Sequence, residues 1–122
     1  MTTKTKNIIN WVLAGLAGIL FLGSGVSKIM ANSEAIQKAQ YIGINASTYT
    51  VLGIIEILSV ILFLYPRTGV LGTLLLTAFL GGAIATHVEH GFPVAFPVII
   101  EALLWIVAVI RFPELKQRIF NK

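Results

Sequence analysis

The sequence predicts an all-α integral membrane protein, a four-helix bundle with a short surface helix between its first and second spans. Three observations predict it. The 122 residues are 57% hydrophobic and 11% charged, with a mean hydropathy of +0.89, more apolar surface than a soluble domain of this size can hide from water. The apolar residues fall into four runs, each about the 20 residues that cross a ~30 Å hydrocarbon core at ~1.5 Å per residue. The connections between the runs are polar, and the one at Pro66-Arg67-Thr68 is very short.

Composition also excludes several chemistries. There are no cysteines, so disulfides, thiol catalysis, iron–sulfur clusters and cysteine-bound zinc are ruled out. The formal charge of +4 comes from basic residues at the run ends, which points to membrane topology and away from nucleic acid. The first run is long and lacks a small-residue cleavage site, so it is expected to remain as the first span. One membrane domain, 1–122, is expected.

The elements follow in order. Residues 1–7 read as a polar arm with Lys4 and Lys6. Span one covers about 8–30, with Trp11 at an interfacial position and Ala14, Gly15 and Gly18 as a small-residue patch. Ser24 and Lys28, four apart, share a face, although a serine at such a position commonly bonds back to its own helix. Residues 31–47 read as a surface helix, with Asn32 or Ser33 as cap, Ile36, Ala39 and Ile42 as apolar stripe and Gly43 as stop. Span two covers about 48–65. Pro66-Arg67-Thr68 is a tight turn that forces spans two and three to be antiparallel neighbours.

Span three covers about 68–88. Thr73, Thr77, Gly81 and Ala85 recur every fourth residue, which predicts a small-residue face for close helix approach. Span four covers about 93–112, with Pro97 near its first turn, where a missing N–H costs little. The tail 113–122 is basic and amphipathic and is expected at the membrane surface. With four spans, one side holds Lys4, Lys6, Arg67, Arg111, Lys116, Arg118 and Lys122. The other holds Lys38, with Lys28 inside the end of span one. That asymmetry places both termini in the cytoplasm, in the cell membrane.

Four ionisable residues lie within or at the edges of the spans: Lys28, Glu56, His87 and Glu101. Lys28 and His87 are close to the outer ends of their spans. Glu56 and Glu101 each lie about eight residues, or ~12 Å, inside theirs. A charge at the bilayer centre costs ~2.5–3.5 kcal/mol on insertion scales, so these side chains are expected to turn inward. With Ser24 and Trp105 they outline a candidate polar pocket in the outer half of the bundle. Lys28 neutralises one glutamate. A protonated His87 or a neutral glutamate would balance the other and make the pocket respond to protons. Each residue also has a plainer role: snorkelling for Lys28, interhelical pairing for the glutamates, an interfacial position for His87, packing for Trp105. His87-Val88-Glu89-His90 is a weak metal signal because no third histidine exists, and no metal is expected. A haem between two histidines is equally disfavoured. No phosphate loop, serine elbow or nucleotide fingerprint is present.

Several stretches resemble a known family: SGVSKIM, the GIIE of span two, LYPRTGVLGTLLLTAFLGGAIATHV, and LW followed by RFPEL. These resemble the DoxX-like proteins, small four-span membrane proteins related to DoxX and to the DoxD subunit of a thiosulfate:quinone oxidoreductase. The resemblance runs from about residue 8 to 118. It matches Lys28 to the lysine ending the family's first span, Glu56 to an acidic position in span two, and His87 to the close of GGA-x-ATH. Glu101 falls on no family motif, and Glu89-His90 stands where relatives often carry a basic residue.

The resemblance implies a quinone-linked or partner-dependent membrane redox component, with quinone as a possible cofactor. No redox-active side chain beyond aromatics is present, so a cofactor or another subunit would carry electrons. Two alternatives stay open. One is a non-enzymatic accessory or assembly subunit of a membrane complex, docked on a protein partner or forming a homo-oligomer. The other is a small-solute or proton-linked transporter, which would need an oligomer. Whether the chain is an enzyme stays open with them.

Overall fold

Thr2 starts the first helix. Its hydroxyl accepts a hydrogen bond from the Thr5 N–H at 3.1 Å, a side-chain cap for a helix N-terminus. Helix α1, Thr3–Met30, therefore takes in Lys4 and Lys6, which the apolar pattern alone leaves in a separate arm. The structure, a computed structural model, describes residues 2–30, 33–41 and 43–121. Five more helices follow: α2 Ser33–Tyr41, α3 Ala46–Leu64, α4 Gly69–Glu89, α5 Ala95–Arg111 and α6 Pro113–Phe120, with a 3-10 turn at Pro66–Thr68. No strand occurs among the described residues. The expected roles of Asn32 and Ile42 lie outside them.

The helix ends explain the boundaries. Asn45 caps α3 by accepting from the Thr48 N–H at 2.8 Å. Helices α2 and α4 end alike. After α2, Gly43 takes φ +81°, and Ile44 N–H donates to Ala39 O at 2.8 Å. After α4, Gly91 takes φ +72°, and Phe92 N–H donates to His87 O at 2.8 Å. Both are Schellman stops, where glycine avoids the Cβ penalty of the left-handed region. Tyr41, just before the first stop, and Phe92, just after the second, meet edge to face with ring centroids 5.6 Å apart. The surface helix is thereby tied to the α4–α5 turn.

Helix α1 and α3 are long and apolar enough to cross a membrane, as is the stretch Pro66–Glu89 that contains α4. Helix α5 has 17 residues. It reaches the same standard together with α6, from which it is bent by 108°. The chain is thus a multi-pass membrane protein. Helix α1 packs on α3, α3 on α4 and α4 on α5, and α5 returns more lightly to α1. Phe21, Val60, Phe63, Leu76, Leu80, Leu104, Ala108 and Phe112 form the core. Many large apolar side chains, Leu16, Ile19 and Leu58 among them, are exposed, as expected where lipid is the solvent.

Two close crossings set the geometry. A Cβ on Gly53 would lie 2.7 Å from Gly25 O and 2.8 Å from Lys28 Cβ, so α1 and α3 approach backbone to backbone there. A Cβ on Gly72 would meet the backbone of Phe63, the equivalent approach of α4 to α3.

The small-residue face expected on span three is only partly the packed one. The buried side of α4 is Gly69, Gly72, Thr73, Leu76 and Leu80. Gly81 has nothing within 4 Å and Ala85 is exposed. Four-residue steps overshoot the 3.6-residue turn by about 40° each, so the stripe rotates by roughly 120° between Thr73 and Ala85. It begins in the core and ends on the open surface.

Candidate functional site

Ser24 is placed on α1 one turn before Lys28, and both face α3 across the Gly25–Gly53 crossing. The Lys28 ammonium donates to Ser24 Oγ at 2.7 Å and to Glu56 Oε1 at 3.0 Å. Ser24 donates in turn to Glu56 Oε1 at 3.0 Å. Ser24 therefore bonds across to α3 and not back to its own helix. The reason is charge: a carboxylate oxygen is a stronger acceptor than the carbonyl one turn earlier, which is already used in the helix. Glu56 is 2% exposed, while the Lys28 side chain keeps 18% of its surface. The acid is sealed in, and the cation sits at the opening.

Two rings complete the surroundings of the cation. Phe79 of α4 has its ring centroid 5.5 Å from Lys28 Nζ, and Tyr49 of α3 lies at 6.0 Å. Each contributes cation–π attraction of about 0.5–2 kcal/mol. Gly53 makes the approach possible, because Lys28 Cβ occupies the space that its side chain would need. Together the residues can hold a charged donor and an acceptor at membrane depth without an uncompensated charge.

The other expected residues lie elsewhere. Glu101 of α5 has Thr77 of α4 and Trp105 of its own helix as the polar neighbours of its carboxyl. Its Oε1 is buried without a hydrogen-bond partner, and no cation is paired with it among the described residues. Thr77 Oγ1 also lies 2.7 Å from Thr73 O, so its single hydroxyl hydrogen has two acceptors, that carbonyl and the Glu101 carboxyl. Thr77 and Phe79 are two residues apart, about 200° around α4. The Glu56 and Glu101 groups therefore lie against different sides of that helix. Trp105, half-buried, stays with Glu101.

His87 is separate from both. Its Nδ1 lies 2.6 Å from Ala83 O. A carbonyl only accepts, so Nδ1 carries the hydrogen and Nε2 is left for another partner. The imidazole meets the Phe92 ring edge to face at 6.4 Å. His90 makes the same backward bond to Thr86 O at 2.9 Å. Among the described residues no group of three His, Cys, Asp or Glu side chains gathers as metal ligands.

Arg111 escaped the sequence reading, which used it only as a topology marker. It is 6% exposed and joins three helices. It donates to Asn10 Oδ1 at 2.7 Å and Asn10 O at 3.3 Å, and to Phe63 O at 3.4 Å and Leu64 O at 3.3 Å. The last four carbonyls of α3 have no partner within the helix. Tyr65 N–H takes Ile61 O, the Thr68 hydroxyl takes Leu62 O at 2.8 Å, and Arg111 takes the remaining two. Its guanidinium lies 5.2–5.8 Å from the ring centroids of Phe112, Phe63 and Trp11. An arginine between Ile110 and Phe112, inside the end of an apolar run, was the available signal.

A profile of the DoxX-like family matches residues 12–108. The chain belongs to the DoxX-like family. The matched range of this DoxX-like protein contains Ser24, Lys28, Glu56, His87, Glu101 and Trp105, and it stops before Arg111 and α6. No curated protein matches the chain, and no solved structure does.

Proposed function

We propose that this DoxX-like protein is the membrane-embedded, partner-dependent component of a redox system, and that Ser24, Lys28 and Glu56 bind the polar head of a quinone. The observation that carries this is the Lys28 ammonium, partly open, held at 3.0 Å from buried Glu56 between the rings of Tyr49 and Phe79. A quinone supplies a carrier of two electrons and two protons. Its flat ring suits the aromatic pair, its carbonyl oxygen suits an ammonium donor, and its apolar tail suits the lipid-facing helices. Lys28 would donate the hydrogen bond, Glu56 would fix the charge of Lys28, and Ser24 would set the orientation of both. Electrons would come from a partner protein, because no side chain of this chain stores them.

In this reading α5 is a fourth span and α6 turns along the surface. Both termini, with Arg67, face the cytoplasm, and the Lys28–Glu56 group opens to the outer half of the cell membrane. Glu101, Trp105 and His87 belong to the outer surroundings of the ligand and do not contact its head. Solvent extraction of the purified protein followed by mass spectrometry tests the reading. Quinone in stoichiometric amount supports it, and reproducible absence from preparations made without harsh detergent contradicts it.

One observation favours a second reading, an accessory subunit of a larger complex. Gly81 and Gly82 have nothing within 4 Å and Ala85 is exposed, a strip on which another membrane helix could pack closely. Native mass spectrometry of gently solubilised membranes would show a stoichiometric partner in that case, and a lone monomer would count against it.

A further inference from the structure

The bend between α5 and α6 places a short helix where headgroups would lie. A helix turned by 108° from one that crosses the bilayer runs close to the membrane plane. Leu115 packs against the core, and Ile119, four residues later, shares its face and is 48% exposed. At about 100° per residue, Lys116 and Arg118 fall roughly 80° to either side of that apolar direction. Two basic residues flanking an apolar edge is the arrangement in which long side chains reach up to phosphate while the helix body stays in the acyl boundary.

The surroundings reinforce the charge. Lys4 and Lys6 on the first turns of α1 and Arg67 in the 3-10 turn are exposed at the same end of the bundle, which Arg111 ties together. Glu114 is the acidic residue there among the described ones. A groove of about 550 Å³ separates α6 from the start of α4. It is lined by Val70 of α4 and, from α6 and its end, by Glu114, Leu115, Gln117, Arg118 and Asn121. Apolar side chains beside an arginine and two amides match an acyl chain ending in a phosphate.

We propose that α6 is an in-plane anchor that selects anionic phospholipids, with Arg118 and Lys116 holding their phosphate groups and Arg67, Lys4 and Lys6 adding to the field. Selection is independent of the quinone reading. The test uses the full chain reconstituted in nanodiscs of phosphatidylcholine with phosphatidylglycerol, then released in mild detergent for native mass spectrometry of retained lipid. The wild type should retain phosphatidylglycerol in preference to phosphatidylcholine. Lys116→Gln with Arg118→Gln should reduce that preference by roughly 25-fold, since each of the two basic residues near an anionic surface contributes on the order of fivefold. Lys116→Arg with Arg118→Lys keeps the charge and should keep the preference. Both side chains are exposed, so an unchanged melting temperature will separate lost selection from lost folding. Equal retention of the two lipids by the wild type, or an unchanged preference in the neutral variant, would overturn the proposal.

Discussion

Lys28 Nζ and Glu56 Oε1 stand 3.0 Å apart beside the crossing at which Gly25 of α1 meets Gly53 of α3. The ion pair and the helix crossing are one structure, because Lys28 Cβ fills the space above Gly53.

Removing one partner should cost more than removing both. Glu56→Gln leaves an ammonium beside a neutral amide at membrane depth. Breaking a buried pair costs about 3–5 kcal/mol, and the partial access of Lys28 lowers the expected loss to about 2–3 kcal/mol. Lys28→Met with Glu56→Leu should recover most of it. Thermal unfolding in one detergent, compared across Lys28→Met, Glu56→Leu and the double variant that combines them, measures this. Additive losses would mean that the two groups do not interact.

Gly53→Ala should separate α1 from α3. A methyl group there would sit 2.7 Å from Gly25 O, and overpacking of this kind costs about 1–3 kcal/mol. Gly81→Ala is the contrast, since nothing lies within 4 Å of that position, and its melting temperature should equal or exceed that of the wild type, alanine being the better helix former. A large loss at Gly81→Ala would show that another helix covers that strip in the native assembly.

Arg111→Lys should destabilise despite keeping the charge. A lysine cannot reach Asn10, Phe63 O and Leu64 O at once from one planar group. Leaving buried carbonyls of α3 without donors costs about 1–3 kcal/mol each. A falling melting temperature with unchanged ligand content is the expected pattern. Loss of ligand at unchanged stability would assign Arg111 to the site instead.

Much of this fold was legible in hydropathy, for identifiable reasons. Four apolar runs, two of them joined by the tight turn at Pro66, leave little freedom in the helix order, and the helix limits lie within a few residues of the apolar runs. The largest shift was at α1, where the Thr2 cap carries the helix through polar residues that hydropathy cannot assign. The site was legible in part. Lys28 and Glu56 are costly in lipid and had to find partners. Their depths alone could not distinguish one cluster from several, because depth fixes height along a helix and not its rotation. Rotation sends Thr77 with Glu101 to one side of α4 and Phe79 with Lys28 to another. Arg111 was hidden because a basic residue at a span end also fits the topology rule.

His87 should prove dispensable for ligand retention. Its Nδ1 hydrogen is spent on Ala83 O and its ring on Phe92, both local. His87→Ala should lower stability by about 1 kcal/mol, the scale of one lost neutral hydrogen bond, and leave quinone content unchanged.

The most direct measurement is the quinone content of wild-type protein and of Lys28→Met with Glu56→Leu, purified identically and matched for folding by melting temperature. The proposed site predicts near-stoichiometric quinone in the wild type and at least tenfold less in the double variant, one charged hydrogen bond being worth about 1.5–3 kcal/mol. Equal quinone in the two proteins, or none in either, would contradict it.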